Sequence, residues 1–174
     1  SGQGKKEQVA RMFNNIAGKY DVLNHLLSLN IDRWWRKRAI GLLRDYKHDC
    51  ILDVATGTGD FALAALCLDP VKIVGVDISE KMLEIAANKV AKKGLSGRIE
   101  LLQGDSENLP FPDASFDAAL VGFGVRNFGD IRAGLKEIGR VLTRNGKIVV
   151  LEFSHPNKFP FRQLYRFYSA VILP

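Results

Sequence analysis

From residue 51 onward, short apolar runs alternate with stretches of helical spacing, and that alternation leaves few folds open. Five runs read as strands: Ile51 to Ala55, Lys72 to Asp77, Ile99 to Gly104, Phe116 to Gly122 and Lys147 to Phe153. They are rich in Val, Ile, Leu and Phe with little polar interruption, as expected of strands buried on both faces of a parallel sheet. Between them Phe61 to Leu68, Glu80 to Lys93 and Ile131 to Leu142 carry helical spacing. Ser79 stands where an N-cap belongs, and Asn145-Gly146 turns the chain into the last strand. The pattern predicts an α/β fold with a doubly wound, mostly parallel sheet. Residues 1–47 contain no strand pattern and read as two or three amphipathic helices, with Val9, Phe13 and Ile16 on one face and Leu23, Leu26, Leu27 and Ile31 on another. Doubly wound sheets bind ligands outside the carboxyl ends of their strands, so this cap is either a lid over that crevice or packing alone.

Leu52-Asp53-Val54-Ala55-Thr56-Gly57-Thr58-Gly59-Asp60 runs from a buried strand straight into a glycine turn. Glycine lets backbone approach a ligand closely and adopt angles that a Cβ forbids. Gly57, Gly59 and Ala62 also satisfy the relaxed dinucleotide pattern G-x-G-x-x-A, so the turn alone does not choose a ligand. Eighteen residues beyond Gly59, Asp77 ends the second strand, where a carboxylate can accept from both hydroxyls of a ribose or simply close a turn. Three further features bear on the choice. A carboxylate, Asp53, precedes the turn; Asp105 ends the third strand in Gly104-Asp105-Ser106; and Phe116-Asp117 opens the fourth. The Tyr-x-x-x-Lys that a dehydrogenase would carry downstream does not occur.

In this order the motifs resemble those of the class I S-adenosylmethionine methyltransferases, over roughly residues 50 to 153. The resemblance implies a Rossmann-like core with S-adenosyl-L-methionine as cofactor. It also implies that Asp53, Gly57, Thr58 and Gly59 lie beside the methionine part, Asp77 with Ile78 at the ribose, Asp105 with Ser106 at the adenine, and Gly122 at a further contact. Methyl transfer from a sulfonium is an in-line displacement that neutralises charge, so the protein mainly has to align nucleophile, methyl and leaving sulfur in a dry pocket. No metal is required, and His25, His48 and His155 lack zinc-ligand spacing.

A closer resemblance covers nearly the whole chain. Phe13-Asn14-Asn15-Ile16-Ala17, Tyr20-Asp21, Asn24, Leu27-Ser28 and Arg33-Trp34-Trp35-Arg36 are similar to the opening of the ubiquinone/menaquinone biosynthesis C-methyltransferases. Phe123-Gly124-Val125-Arg126-Asn127 and Glu152-Phe153-Ser154 match that family too. Asp32 and Gly122 depart from it, at positions where histidine and serine are more common. The resemblance implies methylation of a ring carbon on a polyprenylated quinol precursor, of the demethylmenaquinol type. Such a carbon needs an electron-rich ring, which loss of a quinol proton supplies. Arg126 and Asn127 are then expected to position or polarise the quinol, with Arg126 stabilising a phenolate, while Tyr20, Asp21 and Asn24 line the lid side. A surface salt bridge is the competing reading of Arg126, and a loop histidine that of His155 as a base.

At 174 residues, 47% hydrophobic and 25% charged, the chain is expected to fold as one domain, with 1–47 as cap and 48–174 as core. It has no apolar run of about 18 residues and no apolar leader, which makes the cytoplasm the expected compartment. The net charge of +6 suits an anionic partner or a plain solvated face. Arg33, Arg36, Lys37 and Arg38 flank Trp34 and Trp35, so a lipid-tailed substrate makes peripheral membrane contact one reading of that cluster and core packing of the tryptophans the other. Nucleic acid is not an expected partner. Cys50 and Cys67 read as small core residues. Because relatives continue with an antiparallel strand pair, the chain reads as C-terminally truncated. Lys147 to Phe153 would then be an apolar sheet edge that invites self-association as a homo-oligomer and lowers activity. Two other classes share parts of this pattern: an RNA or protein methyltransferase with the same cofactor site, and a non-catalytic assembly module.

Overall fold

The computed structural model describes residues 2–27 and 31–152, with side chains described at 4–18 and from 31 onward. Five strands, β1 Cys50–Val54, β2 Lys72–Asp77, β3 Ile99–Gln103, β4 Phe116–Gly122 and β5 Leu142–Leu151, form one sheet in the order β3-β2-β1-β4-β5. Every pairing in it is parallel. The helices are α1 Gly2–Leu27, α2 Ile31–Gly41, α3 Asp60–Ala65, α4 Glu80–Lys92 and α5 Ile131–Val141. The strand order reverses between β1 and β4, which opens a crevice at their carboxyl ends.

The two-residue period of each strand sends alternate side chains to opposite layers. Ile51 and Ile73 pack with Ile40 of α2, Leu43 just beyond that helix, Phe61 of α3 and Val90 of α4. Leu52, Val54, Val76 and Val121 pack the other way, against Ile138 and Val141 of α5. Ile51, Leu52 and Val54 are each 0% exposed, which accounts for the unbroken apolar run in β1. Asp117, at the amino end of β4, accepts from the Asp49 and Cys50 amides at 3.0 Å each and pins the start of β1.

β2 and β4 occupy the spans that the sequence predicts, and Ser79 caps α4 by accepting from the Met82 amide at 3.3 Å. β5 starts earlier than expected. Leu142 already pairs with Phe116, and the next pair is Ala118 with Lys147, so Asn145-Gly146 sits within a bulge and not before the strand. The cause is the exit of α5: the Ala114 and Ser115 amides donate to Arg140 and Val141, which lays the chain directly against β4. Within α1 the inward residue after Phe13 is Ala17, 4% exposed, while Ile16 is 37% exposed. Cys67 is exposed, on the one-turn helix Leu66–Leu68 that follows α3, and Trp34 is also exposed, so neither is a core residue. At the β5 edge Ile148 and Val150 are half-exposed and Val149 is buried. Among the described residues no helix is long and apolar enough to cross a membrane.

Candidate functional site

The turn after β1 is built from left-handed backbone: φ is 55° at Ala55, 56° at Gly57 and 80° at Gly59. A Cβ on Gly59 would lie 3.1 Å from that of Ala86, so this glycine also lets α4 approach the turn. Asp53 holds the turn from beneath. Its Oδ2 accepts from the Thr56 hydroxyl at 2.6 Å and from the Ala62 amide at 2.9 Å, and it is fully buried. Its Oδ1 makes no hydrogen bond among the described residues. Burial pushes the Asp53 carboxyl up to about 7, against the lowering effect of those two donors. Asp53 lies behind the backbone and does not line the cleft.

Asp77 closes the turn from the side of β2. Its Oδ2 accepts from the Gly57 amide at 2.7 Å and its Oδ1 from the Ser79 amide at 2.8 Å. It is buried, and that burial raises its pKa from the ordinary carboxylate value. Ser79 in turn donates its hydroxyl to Asn14 of α1 at 2.7 Å. Together with Asp77, the expected residues Gly57, Ile78, Asp105, Ser106, Gly122 and Asn127 line one cavity of about 70 Å³ at the carboxyl ends of the strands. Thr58, Gly59 and Arg126 do not line it. Thr58 is buried and accepts from Lys89 at 3.0 Å. Arg126 makes an ion pair with Glu152 at the end of β5 and is about half exposed. Tyr20, Asp21 and Asn24 lie in α1, outside the residues whose side chains are described.

One wall of the cavity is α1, which contributes Lys6, Val9 and Phe13. Lys6 Nζ sits 2.6 Å from Asp105 and 2.8 Å from Glu107, and these hydrogen bonds, Asp105 first, raise the lysine's pKa. Lys5 adds a hydrogen bond to the Phe128 carbonyl at 2.6 Å. Lys6 and Glu107 were not among the residues expected here. Their only sequence signal is that Lys6, Val9 and Phe13 share one helical face and that Glu107 follows two residues after Asp105. Asp32, one of the departures from the family pattern, is 3% exposed and paired with Arg36 at 2.6 Å. Arg36 also reaches Asp60 at 3.6 Å, which ties α2 to α3.

A family model described as the ubiE/COQ5 methyltransferase family matches residues 2–174. The chain belongs to the ubiE/COQ5 methyltransferase family. It is 49% identical over 176 aligned positions to the "Demethylmenaquinone methyltransferase" of Bacteroides fragilis, covering 100% of this chain and 72% of that one. It is 45% identical to the "Ubiquinone/menaquinone biosynthesis C-methyltransferase UbiE" of Geotalea daltonii, covering 98% and 73%. Among solved structures, a methyltransferase of Methanococcus maripaludis described as S-adenosylmethionine-dependent superposes with a TM-score of 0.73 at 24% identity, over 92% of this chain and 70% of that one, and shows the fold. The protein is a methyltransferase of quinone biosynthesis, and its family implies S-adenosylmethionine as methyl donor. The cleft fits such a group: it combines an apolar slot of Val76, Ile78, Met82 and Phe128 with carboxylate acceptors at Asp77 and Asp105, the chemistry that an adenosine requires.

Proposed function

We propose that the protein transfers the methyl group of S-adenosylmethionine to a ring carbon of a polyprenylated quinol precursor, of the demethylmenaquinol type. The observation that supports it most is the placement of two chemistries around one cleft end. Asp77 and Asp105 offer acceptors below β2 and β3, and the turn Val125–Asn127 brings Asn127 into the cleft from β4, with Arg126 beside it. The names of the two relatives point to the same substrate class.

When bound, the cofactor supplies a methyl group on a sulfonium; the protein's part is to hold and to exclude water. Asp77 accepts from the ribose and keeps the Gly57 amide oriented. Asp105 and Ser106 meet the adenine edge. Arg126, paired with Glu152, offers a planar set of N–H donors beside the cleft, and its part is to stabilise the phenolate. Tyr20 belongs to the lid side in this reading. The exposed Trp34, whose ring lies under the Arg38 guanidinium at 5.6 Å, suits contact with the membrane that holds a lipid-tailed substrate. The test is transfer of labelled methyl to a short-tailed demethylmenaquinol. Arg126→Ala is expected to lower kcat by about 100-fold while leaving S-adenosylhomocysteine binding intact, the scale of losing one oxyanion donor. Unchanged turnover would remove Arg126 from the mechanism.

In this reading α1 is the lid. A cavity of about 70 Å³ is small against the roughly 300 Å³ or more of ordinary ligand pockets, so α1 has to move for the cofactor to enter. The Lys6 ammonium then leaves Asp105 and Glu107. Each pair is partly solvated, with the lysine side chain 23% exposed, so its contribution is modest. Lys6→Met is therefore expected to speed cofactor association and tighten binding about threefold at low salt, an effect that shrinks as salt rises. Stopped-flow binding at two ionic strengths reads it, and weaker binding in the variant would show Lys6 to be a cofactor contact instead.

A further inference from the structure

Among the described residues, four other than glycine have positive φ: Ala55, Asp69, Ala114 and Phe123. Asp69 and Ala114 lie in turns away from the cleft, and Ala55 belongs to the glycine turn. Phe123 is the large one. At φ 57° its backbone occupies the left-handed region that a bulky side chain disfavours, and it lines the cleft. Such conformations persist only where the surroundings over-determine them, and they cluster at ligand sites.

The surroundings here leave the chain little choice. The Phe123 amide donates to the Leu151 carbonyl at 2.7 Å, which holds the end of β4 to β5. On either side a Cβ would have no room: on Gly122 it would lie 2.7 Å from the Phe61 ring, and on Gly124 it would lie 2.6 Å from the Ala55 Cβ. The ring meets Trp35 of α2, with centroids 6.4 Å apart and planes tilted by 58°. Glycine is the residue that adopts this backbone without steric strain, so an aromatic ring held here at the cleft, packed on Trp35, is a placement that points to a ligand. Three and four residues further on, the same segment carries Arg126 and Asn127.

We propose that Phe123 is a substrate-binding residue that stacks against the aromatic ring of the methyl acceptor at the β4 end of the cleft, with Trp35 of α2 backing it. The inference rests on the acceptor being a quinol, as argued above, and adds the surface that orients it. A flat, electron-rich ring placed offset against Phe123 would present one ring carbon towards the cofactor side of the cleft and a hydroxyl towards the Val125–Asn127 turn. One short segment then supplies both the orienting face and the phenolate stabiliser.

The experiment compares Phe123→Gly, Phe123→Leu and Phe123→Tyr in the full chain, measuring S-adenosylhomocysteine affinity, thermal stability, and KM and kcat with a short-tailed demethylmenaquinol. Phe123→Gly relieves the backbone strain but gives up the ring's contact with Trp35, so it is expected to stay folded with a melting temperature near that of wild type. Both Phe123→Gly and Phe123→Leu should bind S-adenosylhomocysteine within about twofold of wild type and lose about tenfold or more in kcat/KM, chiefly through KM. Phe123→Tyr should recover most of the activity. Turnover within twofold of wild type in both Phe123→Gly and Phe123→Leu overturns the inference while the quinol reading stands. Loss of S-adenosylhomocysteine binding in parallel with turnover overturns it as well, since the ring would then be structural. A wild-type protein that methylates no quinol overturns the quinol reading first and this inference with it.

Discussion

Asp77→Ala is expected to weaken binding of S-adenosylmethionine and S-adenosylhomocysteine by about a thousandfold, measured by calorimetric titration. The magnitude follows from two losses that share one side chain. A hydrogen bond to a charged group contributes about 1.5–3 kcal/mol, and a ribose diol would lose its acceptor. In addition, Asp77 already holds the Gly57 amide at 2.7 Å and the Ser79 amide at 2.8 Å, so its removal also loosens the glycine turn and the start of α4. Together these amount to about 4 kcal/mol, or three powers of ten. Asp77→Asn should fall between, because one oxygen remains as acceptor while an NH₂ group either meets a backbone donor or turns away from it. NAD should bind neither protein. Unchanged affinity in Asp77→Ala would place the nucleoside away from the end of β2.

Asp53→Asn is expected to stabilise the protein at pH 8 and to have no effect at pH 4. Burial pushes the Asp53 carboxyl from the ordinary 3.8 up to about 7 in the folded chain. The folded state therefore keeps a proton between about pH 4 and 7 that the unfolded state has released. Stability supplied by this group falls as pH rises through that window and is flat above it, with a span on the order of 4 kcal/mol. The neutral amide keeps an oxygen for the Thr56 hydroxyl and the Ala62 amide, and places its NH₂ where Oδ1 makes no hydrogen bond. Arg36 lowers the Asp53 pKa and Asp77 raises it, and both are present in the variant and the wild type, so the difference between the two proteins isolates Asp53. Urea denaturation of both at a series of pH values reads that difference; a gap that does not vary with pH would show that Asp53 is charged throughout.

The two carboxylates illustrate how far motif reading carries. Both stand at or near strand ends, and the sequence reading places both at the cofactor, Asp53 beside the methionine part and Asp77 at the ribose. Only the register of β1 against β2 separates them. Asp53 pairs across from Gly75 and lies under the turn, while Asp77 ends β2 and lines the cleft. The same holds for the tryptophan pair: neighbours in sequence, they point about a third of a turn apart on α2, so Trp34 faces solvent and Trp35 meets Phe123.

What the sequence by itself determined is the parallel α/β core, because buried strands and their covering helices write their period directly into apolar residues over five to thirteen positions. The glycine turn and the family were legible for a related reason: a left-handed backbone at Gly57 and Gly59 restricts residue choice locally. What only the tertiary structure decided are the long-range partners. Lys6 meets Asp105 across 99 residues, and Phe123, just past the end of β4, meets Trp35 of α2. A polar contact or a ring pair of this kind requires one fit in space and leaves no period in the chain. The left-handed backbone at Phe123 arises in the same way, from β5 and the crowding at Gly122 and Gly124, and not from any preference of phenylalanine.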